Sequence, residues 1–370
     1  MTVAIILAAV VCLAWANGAN DNFKGVATLY GSGTAGYRRA LAWGTVTTLA
    51  GSLCAVFLAG TLLAKFSGNG LVADESTRSA SYGAAVALGA GLTVLLASRL
   101  GMPISTTHGL VGALVGAGWA AGSPIVWAKL GSGFFAPLLL SPFCAAAAVA
   151  VLYPALRSIR RRLGISATTC LCVGRETIEV IPAGDAALAV ARVTELSARV
   201  GDAVTCRSGY AGRVLGIEAG PVLDGLHYLS AGVVSFARGL NDAPKIAAVL
   251  LLASPLGGAG SVALVAVAMA AGGWLGARRV ADTMGHRVTE MNHGQGFAAN
   301  AITGVLVLAA SPLGLPVSTT HVSCGALFGI GAATGQGSPN TIARILLAWV
   351  TTLPLAAACG AACYAAIAGT

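Results

Sequence analysis

Charge is scarce in this chain. Asp, Glu, Lys and Arg make up 9% of its 370 residues, and only 13 of those residues are acidic. A soluble domain carries about 25% charged residues, so this composition cannot dress a water-facing surface. Aromatics are also few, at 6%, whereas glycine is abundant, with 50 residues. Small residues let helix backbones approach closely where lipid offers no hydrophobic drive for association, which favours a helical bundle over a barrel of strands alternating with period two. No basic n-region opens the stretch Met1 to Ala16, so the N-terminus reads as half of a membrane helix and not as a removable signal. The nine cysteines lack metal spacing except at Cys170-Leu-Cys172 with Cys206, and they are read as small buried hydrophobes or reduced thiols.

What is present is hydrophobic: 56% of residues, with a mean hydropathy of +0.81. The chain reads as an all-α polytopic membrane protein embedded in a lipid bilayer. Apolar segments run over 3–31, 39–64, 79–99, 104–121 and 133–156, and again over 226–252, 257–277, 296–311, 317–334 and 341–366, five in each half. This divides the chain into a first membrane repeat at 1–157, an insert at 158–225 and a second membrane repeat at 226–370. The insert carries β-branched runs such as Thr177-Ile-Glu-Val-Ile181 and Ala203-Val-Thr205, which predict a small β-rich module.

A net charge of +9 would suggest nucleic acid as the partner of a soluble chain; here the placement of the charges decides, and no nucleic acid is expected. With an external N-terminus, the inner segment ends hold Arg38, Arg39, Arg99, Arg157, Arg160, Arg161, Arg162, Arg278, Arg279, Arg287 and Arg344. The outer ends hold Lys65, Arg78 and Lys129, so the count is eleven against three. The positive-inside rule then makes the insert cytoplasmic. An odd number of crossings in each half turns the second half upside down, an inverted repeat with its site near the midplane.

Two motifs recur. Gly101-Met-Pro-Ile-Ser-Thr-Thr-His108 returns as Gly314-Leu-Pro-Val-Ser-Thr-Thr-His321, 213 positions later (321 − 108). The helices that follow are short, about 15 residues or roughly 22 Å against a bilayer core of roughly 30 Å, so the pairs 79–121 and 296–334 read as spans or as re-entrant hairpins. In a hairpin, Arg99 lies near the tip as a candidate anion contact. The second motif is Gly-x-Asn-Asp-x-x-Lys, holding Asn20, Asp21 and Lys24 in the first half and Asn241, Asp242 and Lys245 in the second. Asp21 and Asp242 are the two acids that fall within spans. A charge at the bilayer centre costs roughly 2.5–3.5 kcal/mol, so such groups need a partner or a role. Bare ion pairs are one reading. The other is a pair of broken helices whose freed carbonyls hold a cation and whose N-termini hold an anion. Ser105, Thr106 and Thr107, with Ser318, Thr319 and Thr320, add hydroxyls suited to a tetrahedral oxyanion. His108 and His321 are candidates for a proton relay or for packing against a neighbouring helix.

These motifs resemble those of the inorganic phosphate transporter family, and the Asn-Asp-x-x-Lys form resembles its bacterial branch. The resemblance covers both membrane halves and skips the insert. It implies import of inorganic phosphate coupled to protons or sodium, an inverted-repeat fold, homodimers in the cell (inner) membrane, external termini and no cofactor. By that pattern Asn20, Asp21, Asn241 and Asp242 hold the coupling ion, and the Ser-Thr-Thr runs with both Asp and both Lys hold phosphate. Lys24 and Lys245 stand where sodium-coupled members carry small or amide residues. An ammonium competes with sodium for the same carboxylate, which favours proton coupling or carriage of a neutral divalent metal–phosphate complex. Where family members often carry a carboxylate, Gly296-Phe-Ala-Ala-Asn300 ends in Asn.

Three rivals stand beside this reading. A sulfate or other oxyanion permease would use the same scaffold, but phosphate at neutral pH keeps a proton to donate to Asp21 or Asp242 and sulfate does not. An intramembrane serine hydrolase would pair Ser105 with His108 or Ser318 with His321, but no nucleophile elbow is present. A passive channel fits poorly with paired buried charges and broken helices.

Overall fold

The computed structural model describes residues 2–58, 60–66, 71–72, 79–180, 191–202, 215–251, 257–315 and 317–368. Asp74, Glu75, Arg78, Asp185, Cys206, the Ala203-Val-Thr205 run and Pro316 lie outside them. The described chain is mostly helical. In order it forms α1 (Thr2–Asp21), α2 (Ala27–Gly31), α3 (Tyr37–Leu58), α4 (Gly60–Phe66), α5 (Ala80–Arg99), α6 (Thr106–Ala120) and α7 (Trp127–Arg162), the last with a π turn at Gly131–Phe135. Three strands follow: β1 (Thr169–Val180), β2 (Ala191–Asp202) and β3 (Leu215–Glu218). The second run of helices is α8 (Ala219–Leu251), α9 (Gly257–Gly276), α10 (Arg278–Asp282), α11 (His293–Ala310), α12 (Thr319–Thr334) and α13 (Pro339–Ala368). Among the described residues six helices are long and apolar enough to cross a membrane: α1, α3, α5, α7, α9 and α13. Large apolar side chains such as Phe57, Leu139, Phe143, Leu275 and Val350 are exposed, as expected of a surface solvated by lipid tails.

The chain divides into two compact units, Met1–Tyr153 with His227–Thr370, and Pro154–Leu226. Within the smaller unit the sheet order is β2-β1-β3, antiparallel throughout, with Thr169 opposite Asp202 and Cys170 opposite Glu218. In the larger unit α1 packs on α5 and α9, and α13 packs on α5 and α6. Close approach depends on glycine. A Cβ on Gly18 would lie 2.0 Å from the Met269 carbonyl oxygen, and one on Gly239 would lie 2.1 Å from the Thr48 carbonyl oxygen. These are the glycines of the two Gly-x-Asn-Asp motifs, so each seats its helix against a neighbour: α1 against α9, and α8 against α3.

Backbone continuity differs between the two Asn-Asp motifs. α1 ends at Asp21, and residues 22–26 form a turn in which Lys24 N–H donates to the Asp21 carbonyl at 3.0 Å. α8 instead runs unbroken through Asn241, Asp242 and Pro244. The expected unwound turn is therefore present at Asp21 and absent at Asp242. Helical bonding keeps the carbonyls around Asp242 occupied, and Pro244 removes only one donor from the ladder.

The two Ser-Thr-Thr-His strings are built alike. α5 ends with Gly101 in the left-handed region (φ 68°), with Gly101 N–H donating to Ser98 O at 3.1 Å and Met102 N–H to Ala97 O at 2.9 Å. α11 ends with Gly314 (φ 65°), and Gly314 and Leu315 donate to Ser311 and Ala310, each at 3.1 Å. This doubled bond pattern is a Schellman cap, which needs a residue free to adopt positive φ. It explains why each string opens on glycine. The following helices, α6 and α12, begin on Ser105 and Ser318, whose side chains accept from His108 N–H (3.1 Å) and His321 N–H (3.2 Å) as N-caps.

Candidate functional site

Five charged side chains are buried among the described residues: Asp21, Lys24, Arg238, Asp242 and Lys245. All five belong to one cluster. α1 and the turn after it carry Asn17, Asn20, Asp21 and Lys24. α8 carries Arg238, Asn241, Asp242 and Lys245, while the starts of α6 and α12 carry the hydroxyls. None of these residues is more than 4% exposed.

Lys24 donates to Asn20 Oδ1 (2.8 Å), to the Ile104 carbonyl (2.7 Å), to Asp21 Oδ1 and to Thr320 Oγ1. Lys245 donates to the Val317 carbonyl (2.9 Å) and to Thr107 Oγ1 (3.0 Å), and pairs with Asp242 Oδ1 at 3.8 Å. The pattern is reciprocal. Ile104 and Val317 precede the serine of their strings, and each lysine reaches the third hydroxyl of the opposite string.

The carboxylates are not equally satisfied. Asp21 Oδ2 accepts from Asn17 Nδ2 (2.9 Å) and Thr106 Oγ1 (3.0 Å), and its Oδ1 accepts from Lys24. Asp242 accepts from Asn241 Nδ2 (3.1 Å) and, more distantly, from Asn17 Nδ2 (3.4 Å). Asn17 therefore bridges the two acids with one amide group. Asn20 is fully engaged: its Oδ1 also accepts from Ile104 N–H (3.2 Å), and its Nδ2 donates to Ser98 Oγ and the Met102 carbonyl, both at 3.0 Å. Asn241 Nδ2 donates to the Val317 carbonyl at 3.2 Å, but Asn241 Oδ1 is buried with no hydrogen-bond partner among the described residues. Spare acceptor capacity thus collects in the second half, at Asn241 and Asp242.

The cluster is closed by aromatic rings. Lys245 Nζ lies 5.5 Å from the Phe66 ring centroid, and Phe66 meets Phe134 edge-on at 5.5 Å. Phe23, next to Lys24, stacks on Tyr37 at 5.1 Å and meets Tyr30 edge-on at 5.6 Å.

The structure thus brings Asp21, Lys24, Thr106, Thr107, Asp242, Lys245 and Thr320 together. Ser105 and Ser318 serve as helix caps at the edge of the cluster, and Thr319 is buried at the start of α12. His108 and His321 face each other, with ring centroids 4.6 Å apart, and line an apolar cavity of about 740 Å³ between α7 and α13. His321 Nδ1 lies 3.2 Å from the Leu138 carbonyl, and no bond joins either ring to the charged cluster among the described residues. Among the described residues no serine–imidazole hydrogen bond of a hydrolase forms either: the serine oxygens accept backbone N–H groups, and His108 Nδ1 and His321 Nε2 have no hydrogen-bond partner. Arg99 is exposed and contributes its carbonyl to Arg279, away from the cluster. Asn300 donates to the Gly25 carbonyl at 3.3 Å, a bond that a carboxylate at this position could not make. Among the described residues no group of His, Cys, Asp and Glu is arranged to hold a metal ion.

Sequence reasoning missed Asn17 and Arg238. Arg238 Nη2 donates to Asn17 Oδ1, its Nη1 donates to Asn22 Oδ1 (3.1 Å) and Thr48 Oγ1 (3.3 Å), and its Nε lies 3.7 Å from Asp242 Oδ2. A signal was available: 17, 21 and 24, and likewise 238, 242 and 245, are spaced i, i+4 and i+7, the period of one helix face, which α8 realises and which the turn after Asp21 interrupts before Lys24.

Comparison with known proteins bears on what this doubled cluster serves. The sequence model described as the phosphate transporter family matches residues 17–360, which takes in both motif pairs. The chain belongs to the phosphate transporter family. It is similar to "Inorganic phosphate transporter 2-1, chloroplastic" of Arabidopsis thaliana, 27% identical over 93% of this chain and 68% of the relative. It is also similar to the "Probable low-affinity inorganic phosphate transporter" of Rhizobium meliloti, 39% identical over 38% of this chain and 45% of the relative. A solved structure titled "The sodium-dependent phosphate transporter" superposes with a TM-score of 0.75 over 99% of both chains at 19% identity, a likeness of fold. The chain is a multi-pass membrane protein of a transporter family.

Proposed function

We propose that this chain imports inorganic phosphate by alternating access, symported with a cation, and that phosphate binds between the two Asn-Asp motifs and the two Ser-Thr-Thr strings. The observation that carries this reading is the charge of the sealed cluster. Three cations (Lys24, Arg238, Lys245) face two carboxylates (Asp21, Asp242), so 3 − 2 leaves a surplus of one positive charge. An unpaired buried charge costs several kcal/mol, and an entering anion relieves that cost. A monoanion neutralises the cluster directly; a dianion does so together with one coupling cation. The same surplus favours an anion over a neutral metal–phosphate complex.

Phosphate over sulfate follows from Asp242. Its two accepted bonds are fewer than those of Asp21, which leaves lone pairs for a P–OH donor that sulfate lacks. The reciprocal Lys24–Thr320 and Lys245–Thr107 contacts support an inverted repeat in which each half lends hydroxyls to the other. We place the protein in the cell membrane as a homodimer, with external termini and residues 158–225 cytoplasmic, on the strength of the arginine distribution and the family resemblance.

Purified protein in nanodiscs, titrated with phosphate and separately with sulfate, tests the substrate. Phosphate should raise the melting temperature at concentrations where sulfate does not. Equal or greater protection by sulfate would transfer the assignment to an oxyanion permease.

A further inference from the structure

Arg238 occupies in the second half the place that Asn17 holds in the first, four residues before the motif Asp. It is the largest fully buried side chain among the described residues, and its guanidinium sits among oxygens drawn from separate elements: Asn17 Oδ1 from α1, Asn22 Oδ1 from the turn, Thr48 Oγ1 from α3 and Asp242 Oδ2 from its own helix. Two amide oxygens, a hydroxyl and a carboxylate make a hard-donor set, of the kind that holds small hard cations. Each of the first three also has its donor side committed elsewhere. Asn17 Nδ2 goes to the two carboxylates, Asn22 Nδ2 goes to Thr45 Oγ1 at 2.8 Å, and the Thr48 hydroxyl goes to the Ser235 carbonyl at 3.1 Å. The oxygens are therefore held facing inward onto one positive charge.

We propose that Arg238 is a tethered counter-cation, filling an oxygen-lined position that would otherwise require an alkali cation, and that it thereby frees phosphate uptake by this chain from sodium. The inference rests on the phosphate-symport reading above and deepens it by assigning the coupling. A guanidinium stays protonated at any physiological pH, so the charge it supplies is permanent. Asp242 is then neutralised in part without a bound ion. The coupling cation that accompanies a phosphate dianion is left to be a proton, held on phosphate or on a carboxylate of the cluster. Arg238 also fixes Asn17: with its oxygen engaged, the Asn17 amide can only present N–H groups to Asp21 and Asp242.

The test is labelled phosphate uptake into proteoliposomes in sodium chloride and in choline chloride at equal ionic strength. Wild-type protein and R238K, which keeps one cation at this position, should take up phosphate equally in the two salts. R238N places in the second half the residue found at the same position of the first half and empties the oxygen cage. Its uptake should fall at least about tenfold in choline, the factor that corresponds to about 1.4 kcal/mol, and should recover on adding sodium. An R238N loss that is the same in both salts would make Arg238 only a packing residue and overturn the inference. Wild-type uptake that requires sodium would overturn it without any variant, so the inference can be judged even if R238N does not fold. Wild-type protein that moves no phosphate in either salt would instead remove the symport reading on which the inference stands.

Discussion

The ammonium of Lys245 lies 3.0 Å from the hydroxyl of Thr107, a residue of the opposite half of the chain. Lys24 makes the matching contact with Thr320. Each pair joins a lysine from one half of the chain to a threonine from the other, so a motion that separates the two residues must break the contact or exchange it for a ligand contact.

T107V and T320V should each raise the KM for phosphate by about ten- to a hundredfold, the range given by roughly 1.5–3 kcal/mol for a hydrogen bond to a charged group. T107S, which keeps the hydroxyl, should stay near wild type. Initial rates over a range of phosphate concentrations check both, and unchanged KM values in the valine variants would detach the threonines from the site.

The two aspartates should fail differently. D21N removes the negative charge opposite Lys24 and leaves one acceptor oxygen where Asp21 uses two, one for Lys24 and one for Thr106, so it should destabilise the protein by about 3–5 kcal/mol. D242N disturbs a looser set of contacts, so it should fold but lose gradient-driven accumulation. Melting curves beside uptake assays separate the two. Normal accumulation by D242N would remove Asp242 as acceptor of a phosphate proton or of the coupling ion.

Much of this arrangement was legible before any coordinates. The repeated Gly-x-Asn-Asp-x-x-Lys and Ser-Thr-Thr-His strings stand out because polar residues in apolar surroundings are costly, and their duplication pointed to one site assembled from both halves. What escaped was of a different kind. Arg238 drew no reading from the sequence, since nothing local shows that its partners are Asn22 and Thr48, some 190 or more positions away. The unbroken helix at Asp242 escaped because Pro244 and the preceding glycine look like breakers, whereas Gly239 serves close packing on α3. The capping role of the serines was not legible either, because a hydroxyl that caps a helix and one that binds an anion have the same local sequence, and a capping hydroxyl keeps its O–H to donate.

Ala substitution at Gly101 or Gly314 should lower stability by about 1–2 kcal/mol, the cost of a left-handed backbone for a residue with a Cβ. The new Cβ would meet the Arg279 carbonyl oxygen at 3.2 Å at Gly101 and the Thr61 side chain at 3.2 Å at Gly314, so the two losses should be similar. Thermal melts of the purified variants measure this, and unchanged melting temperatures would contradict the proposed role of the Schellman caps.

H108L should retain phosphate uptake with a wild-type pH profile, because the His108 ring faces His321 and an apolar cavity and not the carboxylates. A shifted or flattened profile would restore the histidines as a proton relay.

The central claim is that the sealed, net-positive cluster carries phosphate. Labelled phosphate uptake into proteoliposomes, with an inward proton gradient and an inward sodium gradient imposed separately and excess sulfate as competitor, tests it most directly. Phosphate should accumulate under the proton gradient alone and be unaffected by sulfate; movement of sulfate without phosphate, or equilibration without accumulation under either gradient, would contradict the account.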